Sequence, residues 1–266
     1  MGRQMRICRR ARTSRGLVLL FALLVGLLLA PGPLVAGPLE LHQLIGAASF
    51  RSEPFGRATR VVAAGGLYDK WTGVQAKIDA EQRIITACRN DRTHCTDKAA
   101  ITFLNIVDAA RERDGLARLG EVNRAINLAI RPMSDLANYG EVDVWASPLM
   151  ALTRGAGDCE DYAIAKMAAL KAAGVPSEDL RLVILREARR AEDHAVLAVR
   201  LNERWIVLDN RMLVMLSDTQ IANYRPIFVA DDAGVRAYRN DVVPLPPEPY
   251  AQDVAYLVSA QADAAS

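Results

Sequence analysis

Hydrophobic residues recur at helical spacing in three segments between residues 68 and 130. Within residues 68–88, 99–113 and 116–130, apolar side chains return every three or four positions, which predicts three amphipathic helices. A fourth, alanine-rich helix is predicted over residues 159–173, because a glycine follows it directly and a proline stands two positions further on.

The pattern then changes to short runs of β-branched or alternating residues. These runs predict strands over residues 180–186, 194–201 and 205–208, with turns at Glu192-Asp193 and Asn202-Glu203. Helices followed by antiparallel strands place the chain in the α+β class. Residues 134–157, between the third and fourth helices, are predicted to form a loop.

The chain divides into four segments. Residues 1–36 combine clustered arginines with an apolar run that is shorter than the ~20 residues of a membrane-spanning helix, which is typical of a signal peptide. Residues 37–66 are interpreted as an irregular N-terminal arm, 67–243 as the folded domain and 244–266 as a tail. The predicted location is therefore the periplasm, and an uncleaved membrane anchor is the alternative.

Charge argues against a nucleic-acid partner. The whole chain has a formal net charge of +2, and removal of the signal takes away basic residues only, which leaves a net charge of about −4. No basic surface interleaved with aromatic residues is visible, so no nucleic-acid binding is predicted.

Cysteine spacing predicts one disulfide and one free thiol. Cys8 lies in the signal, and Cys88 and Cys95 are close enough to close a short loop in an exported protein. The alternative, a metal pair, lacks further ligands, because His94 alone does not complete a zinc site. Cys159 is then unpaired, and an unpaired thiol in an oxidising compartment indicates reactivity.

Cys159 stands where a nucleophile is expected. It follows Gly155-Ala156-Gly157-Asp158 and opens the fourth helix. Free amides at a helix N-terminus favour a thiolate and stabilise an oxyanion beside it. The alternative is a small buried hydrophobic residue after a glycine-rich turn.

His194 is the candidate base, because it alone among the histidines opens a strand downstream of Cys159. A two-residue turn at Asn202-Glu203 places Val196 opposite Asp209, so that His194 and Asp209 are diagonal neighbours on one face. A hydrogen bond between them would fix the imidazole tautomer. The alternative is a structural histidine and an aspartate that ends a strand.

The motif GAGDCEDYAIAK, with His194-Ala195-Val196-Leu197 and Val207-Leu208-Asp209-Asn210 downstream, resembles the bacterial transglutaminase-like cysteine proteinases, which include the LapG-type periplasmic adhesin proteases. The resemblance covers residues 122–210. It implies a papain-like, transglutaminase-like fold with a triad of Cys159, His194 and Asp209. It also implies a protein substrate such as a cell-surface adhesin, and an inner-membrane receptor that regulates the enzyme by sequestering it.

The same resemblance implies calcium held by Asp158, Glu160 and Asp161. Carboxylate oxygens suit calcium, but its usual 6 to 8 ligands require further donors. The alternative is that Asp158 caps the helix, and that Glu160 and Asp161 are favourable in its first turn.

One departure from the papain pattern concerns the oxyanion hole. Papain-like enzymes place a glutamine shortly before the nucleophile, where residues 152–154 are Leu-Thr-Arg here. Trp145, Asn123 and Asn127 are the candidate side-chain donors, and each is equally compatible with packing or capping.

Three functions follow from the sequence. The first is an exported cysteine endopeptidase. The second is a transglutaminase-like acyl transferase or amidase, in which the transferase uses the same nucleophile but passes the acyl group to an amine rather than to water. The third is a calcium-dependent binding module with a vestigial triad.

Overall fold

The structure is a computed structural model that describes residues 53–242. Its helices are α1 (Gly66–Asn90), α2 (Lys98–Arg111), α3 (Gly115–Ala129), α4 (Asp135–Tyr139), α5 (Pro148–Arg154) and α6 (Cys159–Ala172). Its strands are β1 (Arg57–Val62), β2 (Arg131–Pro132), β3 (Ala156–Gly157), β4 (Leu180–Glu187), β5 (Glu192–Leu201), β6 (Arg204–Leu208), β7 (Leu216–Ser217), β8 (Tyr224–Asp231) and β9 (Gly234–Val242).

Seven of these strands form an antiparallel sheet in the order β1-β9-β8-β4-β5-β6-β7. Helix α6 lies at the centre of the helical layer and contacts α2, α3, α5, β4 and β5. Its alanines allow this close approach on several sides, because a methyl side chain needs little space. A second cluster that includes Val183, Val196 and Trp205 is also buried, so the central strands are enclosed on both faces.

The four predicted helices and three predicted strands are present, with ends that differ by one or two residues. The two-residue turn at Asn202-Glu203 is also confirmed. Both residues have positive φ, 50° and 62°, as a type I′ hairpin turn requires. Leu201 pairs with Arg204 and Leu197 with Leu208, which is the register predicted from the turn.

The other predicted turn is wrong. Glu192 and Asp193 lie inside β5, and residues 188–191 make the turn, where Ala191 has a φ of 52°. The turn contains none of the glycine, asparagine or aspartate residues that usually mark a hairpin, so its position could not be read from composition.

Two segments predicted to be irregular contain regular structure. Within the described part of the arm, β1 pairs with β9, so the folded domain begins before residue 67. The predicted loop 134–157 contains the short helices α4 and α5. Pro148 starts α5, within the segment predicted to be a loop, at the first helical position that proline favours.

The predicted signal peptide, most of the arm and the tail lie outside the described residues. Among residues 53–242, no helix combines the length and the apolar character needed to cross a bilayer.

The predicted disulfide joins Cys88, near the end of α1, to Cys95 in the connection to α2. Closing this short loop removes conformations from the unfolded chain, which corresponds to about 2 kcal/mol of stability. We therefore expect a reductant to lower the urea midpoint of the wild type. The double variant Cys88→Ser/Cys95→Ser should not respond to the reductant. Peptide mapping of the alkylated, non-reduced protein that finds both thiols free would contradict the pairing.

Candidate active site

The turn before α6 presents Cys159 at the first position of the helix. Strands β2 and β3 pair in parallel, with Pro132 opposite Gly157, and so hold this turn against the end of α3. A side chain on Gly157 would come within 2.8 Å of the Asp161 Cβ, so only glycine fits there. Cys159 is half-buried and is the free cysteine of the described residues.

His194 and Asp209 are joined by a buried hydrogen bond. Nε2 of His194 lies 3.0 Å from Oδ1 of Asp209, and each residue is 1% exposed. The same oxygen accepts from the amide of Arg211 at 2.8 Å, while Oδ2 accepts from the hydroxyl of Tyr224. The contact expected from the β5–β6 register is therefore present, with two further donors.

These donors determine the ionisation of Asp209. Burial favours the neutral acid, but the hydrogen bonds from His194, Tyr224 and the Arg211 amide outweigh it and hold the pKa of Asp209 below its ordinary value. An ionised Asp209 has no proton to give, so Nε2 of His194 is the donor. Nδ1 then carries the lone pair.

That lone pair belongs to the same site as the thiol. Within the described part of the chain, Nδ1 is buried without a hydrogen-bond partner. His194, Ala195 and Cys159 line one cavity of about 410 Å³. The structure therefore brings together the nucleophile, base and orienting residue that were predicted from sequence.

The thiol differs from the sequence-based expectation. Burial raises the pKa of Cys159 above its ordinary value, and the charge of Glu160 raises it further, while the Ala195 amide acts in the opposite direction. Oε2 of Glu160 accepts a hydrogen bond from the thiol at 3.2 Å. The expected lowering by the helix N-terminus is outweighed, because a thiolate here would be desolvated beside a carboxylate.

Five acids surround this end of α6, and two of them were not predicted. Asp135 and Asp143, from α4 and the segment after it, join the predicted Asp158, Glu160 and Asp161. The acids form two overlapping groups whose ligand oxygens lie within 4.8 Å of one another: Asp135, Asp158 and Asp161, and Asp135, Asp143 and Glu160.

The three predicted acids have different environments. Asp161 is fully buried, and its carboxylate accepts hydrogen bonds from the amides of Ala146 at 2.9 Å and Asp158 at 3.4 Å. These bonds stabilise the start of α6, in agreement with the alternative in which the acids stabilise the first turn of the helix. Burial raises the pKa of Asp161 to about 7, and burial together with Glu160 raises that of Asp158 to about 9. Each carboxylate is hard to ionise beside the others.

Oxygens in this group fit a hard cation. Oδ1 of Asp158 and Oδ1 of Asp135 are buried without a partner among the described residues. A divalent cation would satisfy both and offset the crowded charge, and carboxylate oxygens are the ligands that calcium prefers.

The sequence was compared with models of known protein families. The model of the bacterial transglutaminase-like cysteine proteinases matches residues 80–232, more than half of the 266 residues. The matched range includes Cys159, His194 and Asp209. The chain belongs to this family. It is a cysteine peptidase, and the family resemblance seen in the sequence is confirmed.

Solved structures of LapG from Legionella pneumophila are similar to this member of the family. An EGTA-treated form is 24% identical over 60% of this chain and 86% of that one, with a TM-score of 0.50. A second LapG structure is 25% identical, covering 59% and 86% of the two chains, and a calcium-bound form is 23% identical, covering 64% and 93%, each with a TM-score of 0.49. A search of curated proteins finds no match. The EGTA-treated form supports the α+β, transglutaminase-like fold.

The proposed oxyanion donors are engaged elsewhere in this proteinase. Asn127 donates to the carbonyl of Asp209 at 3.0 Å and Asn123 to that of Leu213 at 3.5 Å, so both support the segment after β6. Nε1 of Trp145 donates to Asp143 at 3.1 Å. These contacts leave the amides at the start of α6 as the donors beside the sulfur.

Tyr224 is a site residue that the sequence did not reveal, because β8 reaches Asp209 only through the sheet. In Tyr224→Phe, Asp209 loses a hydrogen bond, and we expect about 1 to 3 kcal/mol of lost stability. A depressed folded pKa contributes stability above the unfolded value, here 3.8, and that contribution is lost as pH falls through the folded pKa. The difference between variant and wild type should therefore be full at neutral pH and shrink below pH 3.8. Urea unfolding at several pH values measures it, and a difference that grows in acid would contradict this role.

Proposed function

We propose that this family member is an exported endopeptidase in which Cys159 is the nucleophile, His194 the base and Asp209 the orienting residue. The observation that carries the proposal is the buried His194–Asp209 hydrogen bond, which leaves Nδ1 as the acceptor in the cavity that Cys159 also lines. The family's peptidase activity favours water over an amine as the final acceptor.

The reaction proceeds through an acyl-enzyme. The thiol proton moves to Nδ1 of His194, and the sulfur attacks the carbonyl carbon of a peptide bond. The amine product leaves with the proton from His194. Water then attacks the thioester with His194 as the base, which releases the carboxylic acid and restores the thiol. Asp209 stays ionised throughout and stabilises the imidazolium.

Space on both sides of Cys159 supports cleavage within a polypeptide. The cavity shared with His194 is bounded by Trp145 and Ile184. A second cavity of about 550 Å³ lies between Cys159 and Arg211, beside the β2–β3 turn. An extended chain that crosses the sulfur would place residues in both cavities, which a terminal-specific peptidase does not need.

Calcium is proposed as the cation of the acidic groups. Asp135, Asp158 and Asp161 would hold it, with Glu160 and Asp143 within reach, and its role would be to neutralise the carboxylates beside the thiol. The unpartnered oxygens of Asp135 and Asp158 support this assignment.

The proposal has three further parts. The protein is exported to the periplasm, it cleaves a large surface adhesin, and an inner-membrane receptor sequesters it. The signal-like residues 1–36 and the Cys88–Cys95 disulfide support export, because such bonds persist in oxidising compartments. The adhesin and the receptor rest on the family resemblance of the motif around Cys159.

The test is proteolysis of candidate envelope proteins. Purified protein is incubated with recombinant N-terminal segments of surface adhesins, with calcium or with a chelator, beside Cys159→Ala as the control. Intact-mass analysis should find paired fragments whose masses sum to that of the substrate plus water, with the wild type only. If an added amine is incorporated instead of water, the acyl-transferase alternative is correct. If no adhesin segment is cut and another envelope protein is, only the substrate assignment fails.

A further inference from the structure

A lysine of α1 is paired with one of the acids near the start of α6. Nζ of Lys70 forms an ion pair with Oδ2 of Asp143 and donates a hydrogen bond to the backbone carbonyl of the same residue at 2.8 Å. Within residues 53–239, whose side chains the structure describes, no other acid of the two acidic groups has an ion pair with a lysine or an arginine. The peptidase mechanism gives this lysine no role.

The ion pair contributes little to the stability of the fold. The side chain of Lys70 is 31% exposed and that of Asp143 is 54% exposed. Water screens the attraction between charges at such exposure, and both side chains lose conformational freedom when they pair. Stability alone therefore does not explain a lysine at this position.

Asp143 differs from two other acids of the groups in how its oxygens are engaged. Its Oδ1 accepts from Nε1 of Trp145 at 3.1 Å, and its Oδ2 is bound by Lys70. Asp135 and Asp158 each keep a buried Oδ1 that has no partner in the described part of the chain. A cation bound by Asp135 would therefore find a free oxygen on Asp158, but on Asp143 an ammonium already holds one oxygen.

The ammonium is also close enough to act on a bound cation through its charge. The ligand oxygens of Asp135, Asp143 and Glu160 lie within 4.8 Å of one another, and Lys70 binds the carboxylate of Asp143. A positive charge repels a divalent cation twice as strongly as it repels a monovalent one at the same distance. Lys70 thus reduces the negative charge that a cation would meet, and it occupies an oxygen of one of the ligands.

We propose that Lys70 competes with calcium for Asp143, so that its ammonium sets the calcium concentration at which the acidic groups bind the ion. The inference rests on the calcium site of the proposed function, and it gives Lys70 no part in the chemistry at Cys159. The charge and the number of the ligands tune the affinity of a calcium site. Removal of the lysine increases the negative charge by one and frees a ligand oxygen, and both changes favour the ion.

The test measures calcium binding and does not depend on proteolysis. The protein is stripped with a chelator, dialysed into buffer of low ionic strength and titrated with calcium chloride in a calorimeter. Lys70→Met keeps a side chain of similar length and helix propensity without the charge. The Kd of this variant for calcium should be about tenfold lower than that of the wild type.

Melting temperatures give a second readout. In chelator, Lys70→Met should melt no higher than the wild type, because the acids lose a counter-charge. At one subsaturating calcium concentration, the rise in melting temperature should be larger in the variant, since a ligand stabilises the folded state in proportion to the logarithm of its saturation ratio. A lysine that only packs would lower the melting temperature equally with and without calcium.

Three controls separate charge at Asp143 from other effects. Lys77, two turns further along α1, donates to the carbonyl of Trp145 at 3.2 Å and so holds the same segment without binding an acid of either group. Lys77→Met should keep the Kd within about twofold of the wild type, because its charge is more distant and is screened. Lys70→Arg keeps a cation and should keep the wild-type Kd. In 1 M KCl, where the Debye length is about 3 Å, the difference between Lys70→Met and the wild type should shrink.

Failure of the inference and failure of the calcium site give different results. A Kd that is unchanged in folded Lys70→Met protein overturns the competition, and so does a higher Kd, which would mean that Lys70 holds Asp143 in place for the ion. If the methionine variant does not fold, Lys70→Gln carries the same measurement. If the wild type binds no calcium, the calcium site is withdrawn and the inference falls with it, whereas the roles of Cys159 and His194 are tested separately by proteolysis.

Discussion

Cys159→Ser protein should keep its fold and lose hydrolysis by about 10⁴-fold or more. His194 is the base for the thiol, and the Ala195 amide favours its thiolate. A serine hydroxyl in the same place is far less acidic than a thiol. The loss should appear in kcat rather than in KM, because the substitution exchanges one atom, sulfur for oxygen, and leaves both flanking cavities intact.

The control for this prediction is non-additivity. His194→Ala alone should be about as damaging as Cys159→Ser, and the double variant no worse than either, because the two residues act as one unit. Melting temperatures near the wild-type value would exclude unfolding as the cause. Wild-type turnover by a folded Cys159→Ser protein would remove the nucleophile assignment.

Local patterns predicted the parts of the site that depend on short sequence distances. Helix α6 was predicted from its alanine-rich composition and from the glycine and proline that follow it. Cys159 stands at the first residue of the predicted helix. The β5–β6 hairpin has a two-residue turn, so its register could be counted, and the count placed His194 beside Asp209. Both inferences involve residues that are close in the chain, where the backbone leaves few alternatives.

Distant contacts could not be read in the same way. Strand β1 pairs with β9 across most of the domain, and Tyr224 reaches Asp209 only because β8 joins the sheet beside β4. Asp135 enters the acidic group because α4 folds back onto the start of α6. No periodicity in the sequence indicates these contacts, because they depend on how the helical layer and the sheet pack together.

The ionisation of the thiol shows a further limit. Helix polarity favours a thiolate at Cys159, and sequence alone reveals that term. Burial and the neighbouring Glu160 oppose it, and their sizes depend on the folded surroundings. The direction of the pKa shift of Cys159 therefore depends on two opposing effects. The sequence shows the helix start, which lowers the pKa, but of the effects that raise it the sequence shows only the adjacent Glu160 and not the burial.

Calcium should raise both the melting temperature and the activity of the wild type, and a chelator should reverse both effects. Without a cation, several buried carboxylates crowd the start of α6, and Glu160 accepts the thiol hydrogen bond that His194 needs. A ligand that binds only the folded state stabilises it by about 2.7 kcal/mol at a hundred times its Kd. Magnesium should not replace calcium, because it requires a tighter octahedral shell and releases its waters reluctantly.

Asp135 is the decisive residue for this prediction, because it belongs to both acidic groups. The calcium-induced rise in melting temperature should be lost in Asp135→Asn. It should persist in Asp193→Asn, which removes an exposed acid from the same active-site cavity but from neither group. If Asp158 and Asp161 only hold the helix start, a chelator changes nothing, and Asp158→Ala costs about 0.5 to 2 kcal/mol of stability whether or not calcium is added. A melting curve and a rate that both ignore calcium and chelator would leave that structural role standing and withdraw the metal site, while the roles of Cys159 and His194 would be unaffected.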